Sequence, residues 1–218
     1  MRRFINIIVI AVVFLYNNLL KVKRKTLFMK NYIIIIAGLP GTGKTTTARV
    51  LSKNLENYIL IDQNELRRKN GMKRMPRQQD EILREIDRLS AGYLNQNKGV
   101  IVESAHTYGF RRQQLYGIAS GCQTKVLTLE CICSEKESKK RMKLRNSKDK
   151  LLSDPNDARV YYKILKRWEN IKDDFKFPGV NHVSYIVYNT EKNLLIKKRI
   201  SKEMYKFVGE IGEILISR

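Results

Sequence analysis

From Tyr32 onward the chain alternates short apolar runs with longer stretches of mixed polarity. Residues 33–37 are four isoleucines and an alanine in a row, a pattern typical of a parallel strand buried on both faces. Similar runs predict strands at 58–61, 99–102, 126–131 and 183–188. At 77–97 and 193–216 apolar residues recur at intervals of three and four, which predicts helices. Further helices are expected at 44–57 and 110–118, and at two charged stretches, 135–145 and 158–170.

This order of strands and helices predicts the fold class. Strands that alternate with helices form a parallel sheet, because each right-handed crossover lays a helix on one of its faces. We therefore expect a three-layer α/β sandwich around a five-stranded parallel sheet. A chain of 218 residues suits one such domain with a small appended piece.

The first thirty residues form a segment of their own, which divides the chain into 1–30 and 31–218. An apolar run at 4–20 is preceded by two arginines and followed by four basic residues. As a helix it would reach about 25 Å, against a hydrocarbon core of about 30 Å. Three interpretations stay open: a short membrane anchor that leaves the rest in the cytoplasm, translation that starts at Met29, or a soluble packed helix.

The charge of the chain is strongly positive. Lys and Arg total 43 against 21 Asp and Glu, a formal net charge of +22. Such a charge favours nucleic acid, anionic lipid or polyphosphate partners, although a lysine-rich solvated surface gives the same count. Cys122, Cys131 and Cys133 form neither a C-x-x-C pair nor a zinc-binding pattern with histidine. We therefore expect a reduced, cytoplasmic protein.

The strongest motif follows the first strand. Residues 38–45, Gly-Leu-Pro-Gly-Thr-Gly-Lys-Thr, fit G-x-x-x-x-G-K-[ST] in full. Such a loop wraps its N–H groups around phosphate oxygens, while Lys44 reaches the β- and γ-phosphates and Thr45 offers a hydroxyl to Mg²⁺. The motif predicts binding of ATP and Mg²⁺ by Gly38, Gly41, Thr42, Gly43, Lys44, Thr45 and Thr46.

A second motif, Asp62-Gln63-Asn64-Glu65-Leu66-Arg67, follows the second strand. Here the chain resembles the polynucleotide-kinase-like group of small P-loop kinases, whose relatives include adenylylsulfate kinase, the zeta-toxin kinases and the seryl-tRNA kinases. Those families carry D-x-D-x-x-R here. The resemblance implies that Asn64 and Arg67 bind the acceptor. Because Asn64 replaces the middle acid, Asp62 becomes the candidate general base, or else simply caps a helix.

The resemblance extends to the third strand and the helix that follows it. It implies that Glu103 holds the Mg²⁺ shell through water, unless this side chain only caps the next loop. Arg111 and Arg112 resemble the family's arginine at the start of the next helix, and we expect Arg111 to bind substrate. His106 either touches the acceptor or is a structural hydrogen-bonding residue.

Beyond the fourth strand the resemblance implies a helical lid. Arg141 and Arg145 stand four apart, on one helical face, where the family places arginines that close over the triphosphate. A solvated basic face is the other interpretation. The segment 153–161 also resembles the start of the family's next helix.

Together these residues predict an ATP- and Mg²⁺-dependent phosphotransferase whose acceptor is a hydroxyl, on a nucleic acid, a tRNA or a small molecule. The candidate catalytic residues are Lys44, Asp62, Arg141 and Arg145. The alternative is a nucleotide-binding switch or a regulatory ATPase that transfers phosphate to no acceptor.

Overall fold

A computed structural model describes residues 31–71, 76–144 and 158–217. Its strands are β1 (Ile33–Ala37), β2 (Tyr58–Asp62), β3 (Gly99–Glu103), β4 (Val126–Ile132), β5 (Val183–Asn189) and β6 (Leu194–Arg199). Its α-helices are α1 (Lys44–Asn54), α2 (Gln63–Lys69), α3 (Pro76–Asn95), α4 (Gly109–Gly121), α5 (Glu135–Lys143), α6 (Ala158–Leu165) and α7 (Tyr205–Ile216). Two 3₁₀ helices span Ile171–Lys176 and Lys202–Met204.

The strands form one sheet in the order β2-β3-β1-β4-β5-β6. The first five strands of the chain pair in parallel, as predicted. The layers are also as predicted, because β1 divides its side chains between two cores. Ile34 and Ile36 pack with α1 and α7 on one face, and Ile33 and Ile35 pack with α3 and α4 on the other.

The sheet has a sixth strand that the sequence did not predict. Residues 193–216 were expected to be one helix, but β6 runs antiparallel to β5 and only α7 is helical. The cause is a local alternation. Leu195 packs against the core on one face and Ile196 against the core on the other, which is the period of a strand. Asn193, with φ of 51°, makes the turn.

The helix predicted at 158–170 also ends early. α6 stops at Leu165, and a 3₁₀ helix begins at Ile171. The side chain of Asn170 accepts a hydrogen bond of 3.0 Å from the backbone N–H of Lys172. Asparagine favours such a cap over a helix interior because its side chain competes for backbone groups.

The carboxyl ends of the parallel strands lie at one edge of the sheet. The loop after β1 meets the loop after β3 there, where the Gly38 N–H donates to the carbonyl of Ala105 over 3.4 Å. No helix in the described ranges is long and apolar enough to cross a membrane. The possible anchor at 4–20 lies outside the described residues.

Candidate active site

The loop between β1 and α1 depends on its glycines. Gly38, Gly41 and Gly43 have φ of 143°, 81° and 88°, values that residues with a side chain rarely adopt. A Cβ on Gly38 would lie 2.4 Å from the carbonyl oxygen of Cys131, and one on Gly41 would lie 2.4 Å from that of Ser138. The neighbours of the loop, β4 and α5, therefore exclude side chains at both positions.

The loop is also held by its own side chains. Thr42 Oγ1 and Lys44 Nζ both donate to the carbonyl of Leu39, over 2.8 Å and 3.0 Å. α1 begins directly after Gly43, and the N–H groups of a first helical turn are available to bind phosphate. The predicted nucleotide-binding residues thus lie together on this loop and turn, namely Gly38, Gly41, Thr42, Gly43, Lys44, Thr45 and Thr46.

The two predicted metal ligands lie side by side. Thr45 Oγ1 donates to Glu103 Oε1 over 3.3 Å, and Glu103 is buried at the end of β3. Among the described residues, no three His, Cys, Asp or Glu side chains gather into a metal-binding group. One hydroxyl and one carboxylate fit Mg²⁺, which uses few protein oxygens and completes its shell with water and substrate phosphates.

Asp62 lies beside this pair. In the parallel pairing of β2 and β3 it is the register partner of Glu103. Its Oδ1 accepts hydrogen bonds from the N–H groups of Asn64 and Glu65, over 2.8 Å and 3.2 Å. Asp62 therefore caps α2, the second of the two roles considered from sequence, while it lies next to the candidate metal ligand.

The predicted acceptor-binding residues of α2 contact each other. Arg67 is buried, and its Nη1 donates to Asn64 Oδ1 over 3.4 Å. Its Nη2 bonds to Gln79 of α3. The amide at position 64 thus orients the arginine, and the bond from Arg67 to Gln79 tethers α2 to α3.

The loop after β3 contacts the first turn of α2. Ser104 Oγ donates to Gln63 Oε1 over 2.6 Å. Arg111 makes a two-pronged ion pair with Asp87 of α3, at 3.2 Å for each bond, and it also bonds to Gln114. This arginine is buried against α3, on the side of the sheet that carries α2.

His106 lies in the loop between β3 and α4. Its φ of 48° is unusual for a residue with a side chain. Burial, together with the charges of Arg111, Arg112 and Lys44, lowers the pKa of His106 to about 3. The ring is therefore neutral at physiological pH.

Arg112, the second arginine that resembles the family's residue at the start of this helix, is engaged within the protein. The side chain is fully buried. Its Nε and Nη2 donate to the two carboxylate oxygens of Asp174 over 2.6 Å and 2.7 Å. Its other bonds go to the carbonyls of His106, Thr107 and Glu169. All the nitrogens of this guanidinium are thus engaged within the protein, so that it fixes the loop after β3.

Arg141 of α5 lies against the turn between β5 and β6. Its Nε bonds to Glu137 over 2.8 Å, and its Nη1 donates to Thr190 Oγ1 over 2.7 Å. Thr190 Oγ1 in turn donates to the carbonyl of Thr42 over 2.9 Å. This chain of hydrogen bonds leads from the predicted lid arginine to the phosphate loop. Arg145 lies outside the described residues.

The profile of a protein family described as the AAA domain matches residues 33–168. The chain belongs to the AAA domain family. The match spans the phosphate loop, Asp62, Glu103 and Arg141. No curated protein matches the chain.

Solved structures show the same fold for this AAA domain. A sugar kinase from Janibacter is 14% identical, with 86% of this chain and 97% of that chain covered and a TM-score of 0.53. Kti12 from Chaetomium thermophilum, in complex with ADP-AlF3, is 15% identical, with coverage of 84% and 98% and a TM-score of 0.52. Both are similar in fold, and the P-loop kinase-like group expected from sequence is confirmed.

A chain of the Pnkp1/Rnl/Hen1 RNA repair complex is also similar. It is 16% identical over 67% of this chain, with a TM-score of 0.54. This chain spans only 46% of that relative's length.

Two residues of the AAA domain site were missed from sequence. Thr190 joins Arg141 to the phosphate loop, and Asp174 neutralises Arg112. Both lie far along the chain from their partners and beyond the matched family region, which ends at residue 168. Asp174 lies on a short 3₁₀ helix. Neither stands in a recognisable motif, because a single threonine in a turn or a single aspartate on a short 3₁₀ helix carries no signal of its own.

Proposed function

We propose that this AAA domain is an ATP-dependent kinase that moves the γ-phosphate to an acceptor hydroxyl. One observation carries the proposal. The phosphate loop, the Thr45–Glu103 pair and Asp62 come together at one edge of the sheet. Loose phosphoryl transfer needs mainly position and charge stabilisation, and these residues offer both.

In the proposed reaction each side chain has one task. Lys44 and the N–H groups of the loop hold the triphosphate, while Thr45 and Glu103 would hold Mg²⁺ directly and through water. Bound Mg²⁺ neutralises charge on the phosphates. Asp62 orients the acceptor hydroxyl and accepts its proton.

The arginines stabilise the developing charge. Arg141 is connected to the phosphate loop by hydrogen bonds, through Thr190 to the carbonyl of Thr42. Turning toward the phosphates would require Arg141 to exchange its bond to Thr190 for one to a phosphate oxygen, a stronger charge-assisted bond. Arg145, four residues further along the sequence, is proposed for the same task.

The acceptor is proposed to be a nucleic acid end, a tRNA or a small polyol. The net charge of +22 favours a polyanion, and the RNA repair complex and the sugar kinase are similar in fold. Asn64 and Arg67 would contact the acceptor beside Asp62, with Arg111, which is paired with Asp87 of α3, on the same side of the sheet.

The location is proposed to be cytoplasmic, with tethering to the membrane through residues 4–20. If that segment inserts, full-length protein sediments with membranes and resists extraction by high salt, because salt screens charge attraction but hardly weakens hydrophobic insertion. Release by salt alone would instead indicate attachment through the basic surface.

The test uses full-length protein with γ-labelled ATP and Mg²⁺, with and without acceptors. The panel comprises a 5′-hydroxyl oligoribonucleotide, tRNA, glycerol and simple sugars. We expect label to appear in one class of acceptor. ATP consumption that needs no acceptor, or ATP binding with no label in any acceptor, would favour the alternative of a regulatory ATPase or a switch.

A further inference from the structure

Two buried polar atoms in the loop after β3 and the first turn of α4 lack partners. They are Nε2 of His106 and Nε of Arg111, and neither has a hydrogen bond within the part of the chain that the structure describes. The two residues are 7% and 8% exposed. Buried polar atoms of folded proteins are nearly always hydrogen-bonded, and an exception calls for an explanation.

The backbone at His106 is held in an unusual conformation. Its φ of 48° lies in the left-handed region, and Arg112 Nη1 fixes it by donating to the His106 carbonyl over 2.7 Å. Asp174 holds Arg112 in turn. Strained conformations persist only where their surroundings impose them, and they cluster at functional sites.

The chemical character of the two atoms is complementary. The other ring nitrogen of His106 hydrogen-bonds to the backbone of Val102, and burial, reinforced by the neighbouring cations, lowers the pKa of the ring and keeps it neutral. Nε2 therefore carries a lone pair and accepts. Arg111 Nε is a permanent donor, and its guanidinium is oriented by Asp87. Of the cations that act on His106, Arg111 is the strongest.

A hydroxyl that lies within reach of both atoms satisfies both, because it donates one hydrogen bond and accepts others. A phosphate or carboxylate oxygen only accepts, so that it would face the lone pair of Nε2 without a proton to share. The site is close to the chemistry, because His106 stands three residues after Glu103 and the charge of Lys44 acts on its ring.

We propose that His106 Nε2 and Arg111 Nε together bind one hydroxyl of the acceptor substrate. The inference rests on the proposed kinase function, and it adds a residue, His106, that selects a hydrogen-bond donor. His106 is a binding residue in this scheme, and Asp62 stays the proton acceptor. The hydroxyl belongs either to a polynucleotide end or to a small polyol.

Nuclear magnetic resonance tests the contact directly, because the chain has only two histidines. Full-length protein labelled with ¹⁵N-histidine, with a non-hydrolysable ATP analogue bound, is titrated with 5′-hydroxyl tetrauridylate, glycerol or glucose. The matched probe is tetrauridylate with a 5′-phosphate. His182, whose Nε2 lies 3.0 Å from the carbonyl of Tyr116, is the internal control.

We expect a hydroxyl probe to move the Nε2 resonance of His106 toward that of a hydrogen-bonded nitrogen and to leave His182 unchanged. If tetrauridylate moves the His106 resonance only when it carries a 5′-hydroxyl, the bound hydroxyl belongs to a polynucleotide end. If glycerol or glucose moves the resonance, the bound hydroxyl belongs to a polyol. If none of the probes moves it at millimolar concentration, only buried water occupies the site and the inference is wrong.

Kinetics give a second readout. His106→Asn keeps a residue that tolerates the left-handed conformation but removes Nε2. We expect kcat/KM for the acceptor to fall about 10- to 100-fold, the usual scale for a lost buried hydrogen bond, mainly through KM, while KM for ATP stays within about twofold. His182→Asn is the control and should match the parent.

The two proposals fail separately. A probe that moves His106 but receives no phosphate contradicts the kinase function and leaves the hydroxyl site standing. An acceptor that is phosphorylated equally well by the parent and by His106→Asn contradicts the hydroxyl site alone.

Discussion

Breaking the buried ion pair between Arg112 and Asp174 should destabilise the protein strongly. Their side chains are 0% and 2% exposed. The two carboxylate oxygens accept two bonds from Arg112 and one, over 2.9 Å, from the hydroxyl of Tyr116. Asp174→Asn would leave the guanidinium as an uncompensated buried charge and turn an NH₂ group toward at least one of these donors.

Removing one partner of such a pair costs about 3–5 kcal/mol. For a domain of this size each kcal/mol corresponds to roughly 2–4 °C in Tm. We therefore expect Asp174→Asn to lower Tm by roughly 6–20 °C. Thermal and urea unfolding of the full chain, followed by circular dichroism, measure the change.

The neighbouring residue offers a matched control. Asp173 is 54% exposed and pairs with Lys176, which is 78% exposed. An exposed pair contributes little, so that Asp173→Asn should stay within about 0.5 kcal/mol of the parent. If Asp174→Asn is equally mild, the buried charge of Arg112 does not depend on Asp174 and this interpretation of the network is wrong.

Three further predictions concern the site. Lys44→Ala should weaken ATP binding by calorimetry and abolish transfer, whereas Lys53→Ala, at the far end of α1, should do neither; equal binding by both variants would refute the role of the loop. Asp62→Asn should keep the helix cap, because asparagine caps as well as aspartate, yet lower transfer by about 10²-fold or more; Asn64→Asp should raise the rate if position 64 is the better base, and an unchanged rate in Asp62→Asn would remove Asp62 from the mechanism. Because the pKa of His106 lies near 3 when folded and near 6.5 when unfolded, the unfolded chain binds one more proton between these values, so that this group lowers the free energy of unfolding by about 1.4 kcal/mol per pH unit as pH falls from 6 to 4. His106→Asn should remove that part of the slope, and identical slopes in urea unfolding would contradict the buried neutral ring.

The parallel core was predictable because its signal is local. Residues 33–37 of β1 are apolar without interruption, and the phosphate loop is a contiguous motif. β6 was not predictable in the same way, since Leu195 and Ile196 also fit the helical spacing of the tail. Only pairing with β5, a contact that spacing within the tail does not encode, makes the strand the better choice.

The residues of the candidate site also divide into those with a local sequence signal and those whose role depends on contacts distant in sequence. Thr45 could be proposed from the phosphate-loop motif and Glu103 from the family resemblance, because both signals are contiguous with a buried parallel strand. Substrate binding was expected of Arg111 from the family resemblance alone, because in sequence the two adjacent helical arginines differ only in the direction they face. Asp174, 62 residues away, decides that Arg112 is structural.

The glycines of the phosphate loop have a consequence for divergent copies of this domain. Gly38 and Gly41 are enclosed by the carbonyls of Cys131 and Ser138, so that the fold needs them even when no nucleotide binds. A copy that lost activity by descent could therefore retain both glycines for packing alone. Lys44 and Thr45 occupy helical positions that need no glycine, and because their side chains are the ones proposed to hold the phosphates and Mg²⁺, their loss would be the first mark of a pseudoenzyme.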